Sequence, residues 1–387
     1  MDSPVLTRRE MRGAQPADTA PDPLNQTLHH AAIARLHRLI DECGDTGVSD
    51  MHIHPDKPMR RLRSGKLFIP DGSEVVFSQA EIMMWLDEAT EGKHDPLNPR
   101  GHASVALATE KYRVRGTFRK SLQGVTVTFR IIPGVVPDVD AIGVPQVIQN
   151  LIHRDSGLLI MEGPTGSGKT TAIAGLIKLA NKTYDKHIYM VEDPTEFVHE
   201  EIGATSIVQR EIGTHVVDYP TAIEDALRSK PNIIVVGELL NAATAKAALH
   251  AATTGHLVIT TAHAGSITEA LDSFIGQFTA DEQPQIRSRF SQSLLGIMVQ
   301  KLVPTVDGRL TAAREVLLND LNFTEIIRDD KMQMIRARIA GSKGCFTLED
   351  SLADLVVKNA ITIETAIGAA KNPDDLRETL ARKGVNL

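Results

Sequence analysis

Gly163, Pro164, Thr165, Gly166, Ser167, Gly168, Lys169, Thr170 and Thr171 form the run GPTGSGKTT, which satisfies the phosphate-loop pattern G-x-x-x-x-G-K-[ST]. The chemistry follows from the residue types. The glycines permit a tight turn whose N–H groups face phosphate oxygens, aided by the positive end of a helix beginning near Lys169. Lys169 supplies a point charge for β- and γ-phosphates, and the Thr170 hydroxyl suits a magnesium ion (Mg2+) that keeps waters and phosphate oxygens as its other ligands. A glycine-rich turn with an incidental lysine is the bland alternative, and the strand, loop and helix around the motif argue against it.

Phosphoryl transfer to water also needs a group that activates the water and cations that stabilise charge on the leaving phosphate. Glu238 ends the apolar run IIVVGE, and ligands of open α/β sheets sit at the carboxyl ends of strands, so Glu238 is the candidate base. Glu192 and Asp193 end a second strand, YMVEDP, and suit a magnesium ion or its waters, with Glu192 a candidate metal ligand. Each acid alone could be an ordinary strand-end carboxylate; together on one sheet edge they favour chemistry. His256 and His263 flank the strand LVITTA, each either a hydrogen-bonded structural residue or a sensor of γ-phosphate or water. Arg113, Arg115, Arg119 and Arg130 fall on a hairpin, where a solvated face competes with charge stabilisation delivered from another domain or subunit. The cluster KPMRRLRSGK reads as a solvated edge, and His52 and His54 read as structural.

Such side chains need an α/β scaffold. The apolar run from Leu158 to Met161 predicts a buried parallel strand, and Ala172, Ile173, Leu176, Ile177 and Ala180 recur at helical spacing after the loop. Across 146–387 the strand-like runs LLIM, HIYMVE, TSIVQ, NIIVVGE and HLVITTA alternate with helical patterns, which predicts a doubly wound, largely parallel sheet. Beyond Thr268 the pattern is mostly helical, with helix starts at Thr347 and Asn372. Residues 1–25, with Pro4, Pro16, Pro21 and Pro23, read as a disordered tail. Residues 26–132 read as a small α/β domain: a helix over Leu28–Cys43, strands at MHIHP, KLFIP and EVVF, a helix at AEIMMWLDEAT, and an antiparallel hairpin or meander about Gln123-Gly124. Pro133, Pro137 and Pro145 mark 133–145 as a linker.

At 387 residues the chain exceeds what one core usually serves, which favours two domains. A net charge of -7 and 4% aromatic residues disfavour nucleic acid as the main ligand. Cys43 and Cys345 cannot make a four-cysteine zinc site and suggest a reducing compartment. The N-terminal stretch has no apolar core of a signal peptide and no run reads as a spanning helix, so a cytoplasmic protein is expected, with peripheral membrane docking through a partner left open.

In order along the chain, VSDMHIHP, the arginine hairpin, GPTGSGKTT, VEDPTEFVHEE, IVQREIG, IIVVGE and TGHLVITTAH resemble the PilT-like traffic ATPases from about Leu28 to the C-terminus. Within that group the chain is similar to the DotB and TraJ type of type IVB secretion and IncI-type conjugation. The resemblance implies a homo-hexameric ring with a PAS-like N-terminal domain and a RecA-like P-loop NTPase domain carrying C-terminal helices. It implies ATP hydrolysis with Mg2+, and inner-membrane components of a secretion, conjugation or pilus machine as partners. It assigns Lys169 and Thr170 to the Walker A contacts, Glu192 and Asp193 to the acidic box, and Glu238 to the catalytic glutamate. It places His256 and His263 in the histidine box, and matches Arg113, Arg119 and Arg130 to arginines that reach nucleotide from the N-terminal domain. Two departures stand out: Glu238-Leu239-Leu240-Asn241 replaces the Arg-Asp pair that follows the catalytic Glu in pilus retraction motors, and FTEIIRDD replaces their AIRNLIRE-like helix.

Overall fold

The computed structural model describes residues 23–63, 65–70, 74–90, 97 and 101–385. The chain separates into two compact units that meet in sequence after Ile131.

In the first unit, α1 (Pro23–Asp45), β1 (Asp50–Ile53), β2 (Arg60–Arg63), β3 (Lys66–Phe68), α2 (Gln79–Ala89), β4 (His102–Ala108), β5 (Tyr112–Ser121) and β6 (Gly124–Pro133) follow in order. The sheet runs β3-β2-β1-β6-β5-β4. Leu36 and Ile40 of α1 and Ile82 and Trp85 of α2 meet Met51, Ile53, Val114, Phe118, Val127 and Phe129 in one core, so both helices cover the same sheet face. Alternation along the strands sends Arg113, Arg115 and Arg119 to the other face, since the intervening Val114 and Phe118 are buried. Helix α1 begins at Pro23, inside the expected tail, with proline at a position where its missing N–H costs nothing. The rest of that tail lies outside the described residues.

Two readings of this unit change. EVVF forms no strand, only a bridge between Val76 and Pro58. RRLR, read as a solvated edge, is strand β2, and Arg61 turns inward, buried, to hydrogen bond Glu42 of α1 at 3.1 Å.

The second unit holds α3 (Gln146–Gln149), β7 (Gly157–Glu162), α4 (Lys169–Thr183), β8 (His187–Glu192), β9 (Ser206–Glu211), α5 (Tyr219–Arg228), β10 (Ile233–Val236), α6 (Ala242–Thr253) and β11 (Leu257–Thr261). It continues with α7 (Ile267–Gly276), α8 (Gln283–Ser293), β12 (Leu294–Pro304), β13 (Leu310–Leu318), α9 (Leu321–Arg328), α10 (Ile335–Ile339), α11 (Leu348–Val357), α12 (Ile363–Ala369) and α13 (Pro373–Arg382). Strand order is β13-β12-β7-β11-β10-β8-β9. All pairings are parallel except β12 with β13. Both faces are covered: Leu158, Ile160, Val191 and Ile234 join one core, while the alternate residues Leu159, Met161, Met190 and Val235 join another with Ile173, Leu176 and Ile177 of α4. Burial on both sides explains why these strands read as unbroken apolar runs.

The mostly helical expectation beyond Thr268 misses β12 and β13, the two strands that extend the sheet beside β7. LLGIMVQKLVP lies almost wholly buried, so it lacks the alternation that marks a half-exposed strand. From 134 to 145 the chain forms neither helix nor strand, yet Val139 and Val144 are buried in the core containing α4.

Candidate functional site

The loop from Gly163 to Gly168 joins the carboxyl end of β7 to the amino end of α4. Gly163 has φ of 137°, and a Cβ there would overlap the carbonyl oxygen of Gln300 on β12, so the loop needs glycine for both conformation and contact. Gly168, at φ of 85°, is the N-terminal flank of α4 and directs that helix's unpaired N–H groups along the loop. Lys169 is buried, and its ammonium donates to the carbonyls of Gly163 at 2.6 Å and Pro164 at 3.2 Å. Burial lowers its pKa, while the negative charges of Glu162, Glu238 and Glu196 oppose that shift. Pro164, Thr165 and Gly166 are exposed, Thr170 and Thr171 are half-buried, and the buried Ser167 hydroxyl has no hydrogen-bond partner among the described residues. A helix end, a buried ammonium and an unpartnered hydroxyl fit a phosphate ligand.

Parallel register brings the acids to the same edge. β10 pairs with β8 through Val236 and Val191, and with β11 through Val236 and Thr260. Beyond these strands, Gly237 N–H donates to Val191 O at 2.7 Å, Leu239 N–H to Thr261 O at 2.9 Å, and Thr261 Oγ1 to Gly237 O at 2.6 Å. The turn bearing Glu238 is thus held between its two neighbours. Glu238 Oε2 lies 2.9 Å from His263 Nε2, and His263 Nδ1 lies 3.5 Å from Lys169 Nζ. The two contacts together call for the tautomer protonated at Nε2, which donates to Glu238 and leaves Nδ1 as acceptor. Glu192 is buried and Asp193 exposed where β8 ends.

His256 goes elsewhere. It precedes β11, whose first residue pairs with Gly157 at the start of β7, and it sits 3.3 Å from Ala251 O through Nδ1. The five-residue strand separates it from the nucleotide edge by roughly 16 Å, so the two histidines that flank one strand do not meet within this unit. Arg113 and Arg119 lie on β5 and Arg130 on β6 of the first unit, where Arg130 Nε donates to Asp50 Oδ1 at 3.0 Å.

Three further residues join the site. Glu162 is buried, and its Oε2 accepts from Ala264 N–H at 2.8 Å, which fixes the loop that carries His263. Burial pushes its pKa up to about 7, against the opposing effects of that hydrogen bond and of Lys169. Tyr219 is buried at the start of α5 with its hydroxyl beside Gly237, and its pKa is raised first by burial and then by the charges of Asp193, Glu238 and Glu192. Gln300 donates from Nε2 to Ser167 O at 2.5 Å. Glu162 carries the same sequence signal as Glu238, an acid ending an apolar run, whereas Tyr219 and Gln300 carry none.

The T2SSE family model, type II/IV secretion system protein, matches residues 28–372. The chain belongs to this family. It is a PilT-like ATPase: the type IV pilus retractation ATPase PilT of Pseudomonas aeruginosa is 36% identical over 255 residues, 65% of this chain and 74% of that protein. The crystal structure of the pilus retraction motor PilT with bound ADP superposes with a TM-score of 0.78 at 29% identity, covering 88% of this chain and 98% of that one. The Legionella pneumophila ATPase DotB shares the fold, with a TM-score of 0.71 at 24% identity over 87% of this chain and 96% of that one. This ATPase therefore combines an N-terminal PAS-like α/β domain with a RecA-like P-loop domain and C-terminal helices. No described helix is long and apolar enough to cross a membrane.

Proposed function

We propose that this ATPase hydrolyses ATP in a homo-hexameric ring and powers a conjugative transfer or type IVB secretion apparatus from the cytoplasmic face of the inner membrane, docking through membrane partners. The contact chain Glu238–His263–Lys169 carries the reading, because it ties a base at one strand end to the phosphate-loop lysine. The amides of 163–169 and the Lys169 ammonium hold the β- and γ-phosphates in line with a water beside Glu238, which orients that water and receives its proton. His263 keeps the Glu238 carboxylate aimed at this position. The Thr170 hydroxyl and the Glu192 carboxylate suit a magnesium ion, which would neutralise charge developing on the phosphate oxygens. Among the described residues no group of three or more His, Cys, Asp or Glu side chains is arranged to hold a metal, so the phosphates and waters would complete its shell. Arg113, Arg119 and Arg130 supply cationic charge to nucleotide held by another subunit of the ring.

The test is steady-state ATP hydrolysis by wild type and Glu238→Gln over a range of protein concentration, with mass measurement on the same samples. Turnover rises with assembly and falls at least about a hundredfold in the variant, which still binds ATP. Equal turnover in the two proteins removes Glu238 from the chemistry.

A pilus retraction motor is the second reading, favoured by the 36% identity to the retractation ATPase. Against it, Leu240 is exposed and Asn241 caps α6, so the segment after Glu238 offers no arginine-aspartate pair. A deletion strain that loses DNA transfer but keeps twitching supports the first reading, and the reverse phenotype supports the second.

A further inference from the structure

Gln300 and Arg314 form a buried hydrogen-bonded path from the phosphate loop to the segment by which the chain enters the second unit. Gln300 Nε2 donates to Ser167 O, and Gln300 Oε1 accepts from Arg314 Nε at 2.8 Å. Arg314 then spreads its fork over two backbone carbonyls, Nη1 to Gly143 O at 2.7 Å and Nη2 to Ile142 O at 2.6 Å. A carbonyl at one end and a guanidinium at the other fix which way the Gln300 amide faces.

Packing runs the same way. The backbone oxygen of Gln300 lies under Gly163, and its Nε2 would stand 2.9 Å from a Cβ at Gly168, so β12 supports the loop at both ends. The entering segment is held on α4, the helix the loop leads into. Lys178 donates to Val136 O at 2.6 Å, Asp138 pairs with Lys178 and Lys182 at 3.1 and 3.0 Å, and Ile142 approaches Gly175 closely enough that a Cβ there would be 3.0 Å from its Cδ1.

Arg314 is the informative residue. It is 6% exposed, and among the described residues the hydrogen bonds of its guanidinium go to three neutral oxygens. Burying a cation without a carboxylate is expensive, and an apolar side chain would fill the same space at lower cost. What an apolar residue cannot do is hold two carbonyls of one segment and the side chain that holds the phosphate loop.

We propose that Gln300 and Arg314 are positioning residues that couple the 136–144 segment to the phosphate loop. Nucleotide on the loop steadies the segment, and docking of the segment raises nucleotide affinity. Linkage makes the two effects reciprocal. The proposal rests on the reading that this loop binds nucleotide.

Hydrogen exchange of 136–144 with and without ADP, and ADP affinity, are measured on the full chain for wild type, Gln300→Glu and Arg314→Lys. Wild type gains protection in the segment when ADP binds. Gln300→Glu keeps an acceptor for Arg314 but loses the donor to Ser167, so the segment stays docked and its gain on ADP binding disappears. Arg314→Lys leaves the loop untouched but loses the fork, and ADP affinity falls about fivefold. A purely structural role would lower stability in both variants while leaving the ADP-dependent gain in protection intact, and that result overturns the proposal. Failure of wild type to bind ADP overturns the nucleotide reading and the coupling with it, whereas normal wild-type binding with unchanged behaviour of both variants overturns the coupling alone.

Discussion

Glu162 stands one residue before the phosphate loop with its carboxyl buried, and its protonation follows from that position. Its pKa rises from 4.5 to about 7 in the folded chain, so the folded state holds the proton more tightly than the unfolded state does. Stability from this group is therefore present at low pH and declines as pH rises through about 7, a loss of about 3 kcal/mol when complete. Glu162→Gln keeps an acceptor for Ala264 N–H and removes the titration; thermal denaturation between pH 5 and 8 should show a falling midpoint in wild type and a flatter profile in the variant. A parallel fall in both proteins assigns the dependence to other groups. Glu192 and Glu238 were read from the sequence as acids ending apolar runs; Glu162 carries the same signal but was not singled out, and its role parts from that of Glu238 because it meets the backbone of a loop while Glu238 meets a histidine. His256 and His263 were legible as a pair, but a strand has two ends, and the parallel register sends only one of them to the loop.

Helix α6 shows how a change beside the site is absorbed locally. Asn241 caps the helix by accepting from Thr244 N–H at 3.0 Å, directly after buried Leu239 and exposed Leu240. Asn241→Ala should cost about 1 kcal/mol, lowering the melting midpoint by roughly 2–4 °C, while Asn241→Asp stays near wild type. Calorimetry on both variants checks this, and an unaffected Ala variant shows that the cap carries little weight. The caps at Ser78, Thr347 and Asn372 follow the same rule, and the latter two were recognisable from their sequence spacing. Strands β12 and β13 were not: the mostly buried apolar run of β12 carries no mark that separates strand from helix, and β13 buries the charged pair Arg314 and Glu315 in mid-strand, which breaks the apolar pattern.

The proposed ring should make turnover depend on concentration: activity per subunit is expected to rise as rings form and to fall on dilution, read by hydrolysis and mass measurement together. Activity constant per subunit down to the monomer would remove the ring from the catalytic cycle. Glycine spacing, apolar runs and strand-end acids are local properties, so they sufficed to read a phosphate loop on a parallel sheet, and the resemblance carried by the ordered motifs pointed to the traffic ATPases. Pairing and packing chose the rest. His263 meets Glu238 at the open edge of the sheet through strand register, while the neighbours of β7, the inward turn of Arg61 and the Gln300–Arg314 path depend on residues of different elements meeting in a buried interior. There an unpaired polar group is costly enough to select its partner, and no local spacing records which partner that is.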